Sequence, residues 1–140
     1  MHPERIKAVA AGGLNGLLFL PLEKMYDEQL MYPVGTYDFH EFLQKPFNAR
    51  AFKETPQFLF MGALDDNDAI PFQDAFDEPE RQTIYRTLGK EMQPLRWEKC
   101  QRIYKSQGVD AQFRTYEGIG HEQPDEIKKD ILEFFKQIQP

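Results

Sequence analysis

The sequence is short of several residue types and patterns on which common protein classes depend. Its single cysteine, Cys100, rules out an internal disulfide and favours a reducing compartment. The net charge of -6 disfavours binding to nucleic acid or to anionic membrane surfaces. The longest apolar stretch, LLFLPL at 17–22, is too short to cross a membrane, and the residues after Met1 do not form a signal peptide. These absences predict a cytoplasmic protein.

Residues that commonly carry catalysis or bind cofactors are also scarce. The only serine, Ser106, stands in YKSQG at the end of a predicted helix, where a polar residue is ordinary. No G-K-[ST] follows the glycines of GGLNG at 12–16, so this segment is predicted to be a chain reversal and not a phosphate loop. His2 and His40 have no neighbouring ligand pattern. We therefore expect no cofactor and no metal site.

The acidic segment DDNDAIPFQD at 65–74 contains enough carboxylates to suggest calcium. A D-x-[DN]-x-[DN]-G loop that starts at Asp65 fails at Ala69, and one that starts at Asp66 fails at Ile70. A solvated acidic turn is the favoured interpretation.

What the sequence does contain is the pattern of one soluble domain over residues 1–140, with 41% hydrophobic and 29% charged residues. Three segments are predicted as strands. RIKAVAAGG at 5–13 is an apolar run that ends in a glycine pair, and AQFRTYEGI at 111–119 carries Phe113 and Tyr116 as candidate core residues. The clearest strand is 56–66, where a continuous apolar run predicts burial on both faces.

Helices are predicted between and after these strands. The segment 94–108 begins with proline and ends with glycine, and 124–138 begins with proline followed by two acids. A short helix is expected near 79–88, within a loop at 67–93, and 14–53 is predicted to be a covering insert of helical turns and loops. The expected buried faces of the two clear helices comprise Trp97, Cys100, Ile103 and Tyr104 in the first, and Ile127, Ile131, Phe134, Phe135 and Ile138 in the second.

Strands that alternate with helices predict an α/β fold with a parallel sheet of about three strands. Asp65 follows the second predicted strand and His121 follows the third. Because parallel strands end at the same edge of a sheet, the two side chains are expected to meet there, with the carboxylate orienting the imidazole as a base. The alternative is a surface histidine in a glycine loop beside an acidic turn.

The chain resembles the C-terminal half of an α/β-hydrolase. In that family the acid often stands in a G-x-x-D turn, which is GALD at 62–65 here, and the histidine in G-x-G-H, which is GIGH at 118–121. The closing helix of the family corresponds to 124–138, and its lid-forming insertion corresponds to about 14–53. The resemblance implies that Asp65 and His121 are the acid and base of a Ser-His-Asp triad in an esterase, lipase or peptidase.

This sequence departs from the family because it has no G-x-S-x-G nucleophile motif. The resemblance therefore implies a truncated fold that lacks the nucleophile and most of the oxyanion hole, and that is inactive alone. A split serine hydrolase completed by another chain and a non-catalytic oligomerising module are the alternatives. The truncation also implies an exposed edge at 5–13, so we expect a homodimer through this strand or pairing with a separate nucleophile-bearing chain.

Overall fold

A computed structural model describes residues 5–72 and 75–138 of the chain. His2, and residues 73–74 at the end of the acidic segment, lie outside the described residues. The elements follow in chain order: β1 (Val9–Gly12), β2 (Lys24–Met25), β3 (Glu28–Gln29), α1 (Phe39–Leu43), α2 (Ala49–Glu54), β4 (Gln57–Gly62), α3 (Glu78–Thr87), a π-helical turn (Met92–Arg96), α4 (Trp97–Ser106), β5 (Ala111–Tyr116) and α5 (Asp125–Gln137).

The main sheet has three parallel strands in the order β1-β4-β5. The predicted parallel sheet with flanking helices is thereby confirmed, and each of the three strands lies within its predicted segment. β4 is the central strand, and all six of its residues are buried. Its side chains alternate between two hydrophobic layers, since Leu59 and Met61 pack with α4 while Phe58 and Phe60 pack with α5. This two-sided burial explains the unbroken apolar run in its sequence.

The buried faces of the two long helices agree with their helical periodicity, with one exception. Trp97, Cys100, Ile103 and Tyr104 are all buried. On α5, Ile127 and Phe134 are buried and Ile131 and Ile138 are partly buried, whereas Phe135 is 41% exposed, contrary to prediction. At 100° per residue, Phe135 lies beyond the buried arc of the helix, on the flank that also carries the exposed Leu132.

The start of α4 also differs from prediction. The sequence predicts a helix from Pro94, but α4 begins at Trp97 and is preceded by the π-helical turn. Gln93 has extended dihedral angles, φ -118 and ψ 136, and joins Pro94 through a cis peptide bond. A residue before proline avoids the α region, so the regular helix starts beyond this pair.

The segment 14–53 contains more regular structure than the sequence predicts. It forms the antiparallel hairpin β2–β3 as well as α1 and α2. The two-residue strands are too short to produce a recognisable alternation. Four of its aliphatic residues belong to the main core, namely Leu18, Leu20, Leu30 and Val34. The segment is therefore a packed layer of the domain.

Candidate active site

The loops that follow β4 and β5 are joined to each other at the carboxyl edge of the sheet. The backbone N–H of Ala63 donates to the carbonyl of Tyr116, and that of Leu64 donates to the carbonyl of Ile119, both at 2.8 Å. Gly62 makes this approach possible, because a Cβ at this position would lie 2.3 Å from the Ile119 carbonyl oxygen. The two loops therefore hold their side chains in a fixed relation.

Asp65 and His121 meet at this edge, as predicted. The Nδ1 atom of His121 lies 3.0 Å from Oδ2 and 3.2 Å from Oδ1 of Asp65. The Asp65 side chain is 2% exposed, whereas the His121 side chain is 48% exposed. A carboxylate only accepts hydrogen bonds, so Nδ1 of the neutral ring carries the proton and Nε2 presents a lone pair. This contact confirms the predicted geometry, and the catalytic role of the pair stays a prediction.

Asn67 and Gly13, which no sequence motif marks as site residues, also contact the imidazole. The backbone N–H of Asn67 donates to Oδ1 of Asp65 at 3.0 Å, and its side-chain Nδ2 lies 3.2 Å from Nε2 of His121. Gly13, just after β1, lies against the ring, because a Cβ there would be 2.9 Å from Cε1 of His121. The φ of Gly13 is +64°, a conformation that glycine adopts readily. The ring therefore reaches from the end of β5 across the sheet to the end of β1.

An ion pair between the fully buried Arg96 and the partly buried Asp68 anchors the segment 65–70, which we call the acid turn. Arg96 is fully buried, and its Nη1 and Nη2 atoms each lie 3.0 Å from an oxygen of Asp68. The same guanidinium donates to the carbonyls of Asn15, Gly89 and Lys90. The acid turn is thus tied to the loop after β1 and to the π-helical turn. The prediction of a solvated acidic turn is wrong for Asp68. Its carboxylate pairs with the buried guanidinium of Arg96, which lies 28 positions later in the sequence.

No signal in the sequence marks Arg96 as buried, because arginine is usually exposed. The position of Asn67, two residues after an acid, is a weak signal, since short polar side chains in such turns often bond nearby groups. Among residues 5–72 and 75–138 there is no cluster of three or more histidine, cysteine or acidic side chains that could hold a metal ion.

A small cavity of about 90 Å³ adjoins the pair. Its lining includes Gly12 and Gly13 at the end of β1, Gly62 at the end of β4, and Gln123 after β5. Pockets for drug-sized ligands have volumes of roughly 300–1,000 Å³, so this cavity cannot enclose a substrate of that size. Of the described residues that line it, none comes from 14–53, so the packing gives no support to a lid role for that segment.

The two side chains that could serve as nucleophiles, Ser106 and Cys100, lie away from the Asp65–His121 pair. Ser106 Oγ donates to the carbonyl of Ile103 at the end of α4. The chain enters β5 at Ala111 from that end, so Ser106 lies at the amino edge of the sheet, opposite to His121. Cys100 is fully buried in the core, and burial raises the pKa of its thiol to about 11. It is the inert buried thiol that its helical position predicts.

Comparisons with protein-family models, with curated proteins and with solved structures give no match to this chain. Within residues 5–72 and 75–138, no helix is long and apolar enough to cross a membrane. The resemblance to α/β-hydrolases therefore continues to depend on GALD at 62–65, GIGH at 118–121 and the fold that carries them.

Proposed function

We propose that this chain supplies the acid and base of a serine-hydrolase type active site whose nucleophile comes from outside residues 1–140. One observation carries the proposal. A buried carboxylate, Asp65, contacts Nδ1 of His121, while the ring itself is half exposed at the carboxyl edge of a parallel sheet. Ligands of open α/β sheets bind at this edge. The alternative, a surface histidine in a glycine loop beside an acidic turn, does not account for the burial of Asp65 or for its contact with Nδ1.

In the proposed chemistry Asp65 and His121 have distinct roles. Asp65 accepts the Nδ1–H bond, which fixes the tautomer of His121 and stabilises the imidazolium that forms later. Nε2 of His121 removes the proton from an incoming serine hydroxyl and then gives it to the leaving group. In the part of the chain that the structure describes, no serine or cysteine lies beside Nε2, so we expect no acyl-enzyme from residues 1–140 alone. Its buried free cysteine is compatible with the reducing, cytoplasmic compartment that we expect.

The open edge of β1 is the position at which we expect the nucleophile-bearing segment. The backbone N–H of Val9 donates to the carbonyl of Pro56, on the β4 side. Hydrogen-bonding groups alternate sides along a parallel strand, so those of Ala10 and Gly12 point away from β4. The His121 ring lies against Gly13 at the end of β1. A strand that pairs in parallel with this edge therefore ends beside the ring, whether it belongs to the same polypeptide or to a separate chain.

A non-catalytic homodimerising module is the second candidate, and the packing of α5 favours it. Glu126 and Asp130 form one flank of α5 and face Arg114 on β5. Leu132 and Phe135, 61% and 41% exposed, form the opposite flank, which is the one nearer to β1. An open strand edge beside exposed apolar side chains is a surface on which a second copy can pair antiparallel about a twofold axis. Light scattering at micromolar concentration should then give a dimer mass, and a monomer mass contradicts this candidate.

The catalytic proposal is tested with a serine-directed fluorophosphonate probe. The DNA upstream of Met1, and neighbouring genes, are read for a frame that encodes G-x-S-x-G. The protein segment that this frame encodes is then expressed either fused to residues 1–140 or as a separate chain together with them. We expect no labelling of residues 1–140 alone and labelling of the motif serine in the completed protein.

Three variants of the completed protein sharpen this test. His121→Ala and Asp65→Asn should each reduce the labelling rate by a factor of about 10³ or more. His40→Ala, which alters an exposed histidine in α1, should leave the rate unchanged. Stoichiometric labelling of residues 1–140 alone, or full labelling of the His121→Ala variant, would contradict the proposal.

A further inference from the structure

Asn67 contacts both members of the proposed acid–base pair. Its backbone N–H donates to Oδ1 of Asp65 at 3.0 Å, and its side-chain amide nitrogen lies 3.2 Å from Nε2 of His121. Nε2 is the atom that the proposed function uses as a base. The amide group of Asn67 therefore occupies a position from which a nucleophile's hydroxyl would approach the ring.

The donor and acceptor assignments at this contact agree with each other. Asp65 can only accept, so the neutral His121 ring carries its proton on Nδ1 and presents a lone pair at Nε2. An amide NH₂ group is a donor only, so the nitrogen of Asn67 is the atom that belongs beside Nε2. The neutral imidazole then has a partner on each nitrogen, a carboxylate at Nδ1 and an amide at Nε2.

We propose that Asn67 is a positioning residue that caps Nε2 of His121 and holds the ring in place until a nucleophile takes the position of its amide. This inference rests on the proposed function of the Asp65–His121 pair. Both Asn67 and the Nε2 side of the ring are exposed, so a hydroxyl group or water can replace the amide at little cost. The cap protects the base without blocking it permanently.

The Asn67→Ala variant removes the cap selectively. Alanine keeps the backbone N–H that donates to Asp65, so only the contact with Nε2 is lost. The probe is diethyl pyrocarbonate, which acylates unprotonated imidazole nitrogens, applied at pH 8 to residues 1–140. The acylation rate at His121 is measured by peptide mass spectrometry, with the exposed His40 as an internal reference.

We expect the rate at His121 relative to His40 to rise about two- to tenfold, the population change that corresponds to one net hydrogen bond. Leu64→Ala, which removes an exposed side chain from the preceding turn without changing charge, should give the native ratio. A ratio in Asn67→Ala that equals or falls below the native ratio overturns the cap. Phosphonate labelling of the completed protein does not depend on this result, so failure of the cap and failure of the proposed function can be told apart.

Discussion

Replacing Asp68 with asparagine should destabilise the protein by about 3 kcal/mol, because it leaves a fully buried guanidinium without its counter-charge. Asp68 makes two 3.0 Å bonds to Arg96, whose side chain is 0% exposed. Breaking a buried ion pair costs roughly 3–5 kcal/mol. The lower end of this range applies because the Asp68 side chain is 17% exposed and because the carbonyls of Asn15, Gly89 and Lys90 still accept hydrogen bonds from the guanidinium.

Urea denaturation measures this loss through the fluorescence of Trp97, the only tryptophan and a buried one. The loss should persist in 0.5 M NaCl, because a buried pair is screened less than an exposed one. Glu98→Gln is the matched control, since Glu98 and Arg102 form an ion pair with exposed side chains, and it should cost at most about 0.5 kcal/mol. If Asp68→Asn costs no more than Glu98→Gln, Arg96 does not anchor the acid turn.

Three other changes test separate parts of the structure. Burial raises the pKa of Cys100 to about 11, so the folded protein keeps a proton that the unfolded chain loses. The free energy of unfolding should therefore fall between about pH 8.5 and 11 by roughly 3 kcal/mol more in the native protein than in Cys100→Ala. Gly13→Ala should displace the His121 ring and shift its Hε1 NMR signal, whereas Gly108→Ala, at a similar φ but in open space, should not. If the protein dimerises, Ala10→Pro should give a folded monomer, because its N–H points to the open edge, whereas Val9→Pro should destabilise the fold.

Each of these three predictions has an outcome that contradicts it. An equal pH dependence in the native protein and in Cys100→Ala would show that the thiol is not shielded from solvent. Equal effects of the two alanine substitutions on the His121 signal would show that Gly13 does not contact the ring. A dimer that survives Ala10→Pro would show that the self-association uses another surface.

The parts of the fold that the sequence predicts are those with strong local signals. The short apolar run of β4, opened by a proline and closed by a glycine, favours a strand buried on both faces, and α4 and α5 carry clear helical periodicity. The Asp65–His121 contact follows from the same logic, because both residues stand in the loops that follow parallel strands. These inferences need only local patterns and the rule that parallel strands end at one edge.

The parts that the sequence did not predict depend on contacts between distant residues. The burial of Arg96 requires Asp68, 28 positions away, and the carbonyl of Asn15, 81 positions away. The contact of Asn67 with His121 spans 54 positions. The hairpin β2–β3 has strands of two residues each, too short for a pattern. None of these features leaves a periodicity that a single sequence can display.

The central claim, that Asp65 holds His121 as an oriented base, is tested most directly by ¹⁵N NMR of the His121 ring. When the His121 ring of the native protein is neutral, we predict that Nδ1 carries the proton and that Nε2 is unprotonated. In Asp65→Asn, the amide oxygen of the new side chain should still accept the hydrogen bond from the backbone N–H of Asn67. The new NH₂ group then faces Nδ1 of His121. Because this group can only donate, Nδ1 must accept and the ring proton moves to Nε2. A native ring protonated at Nε2, or the same tautomer in both proteins, would contradict the claim.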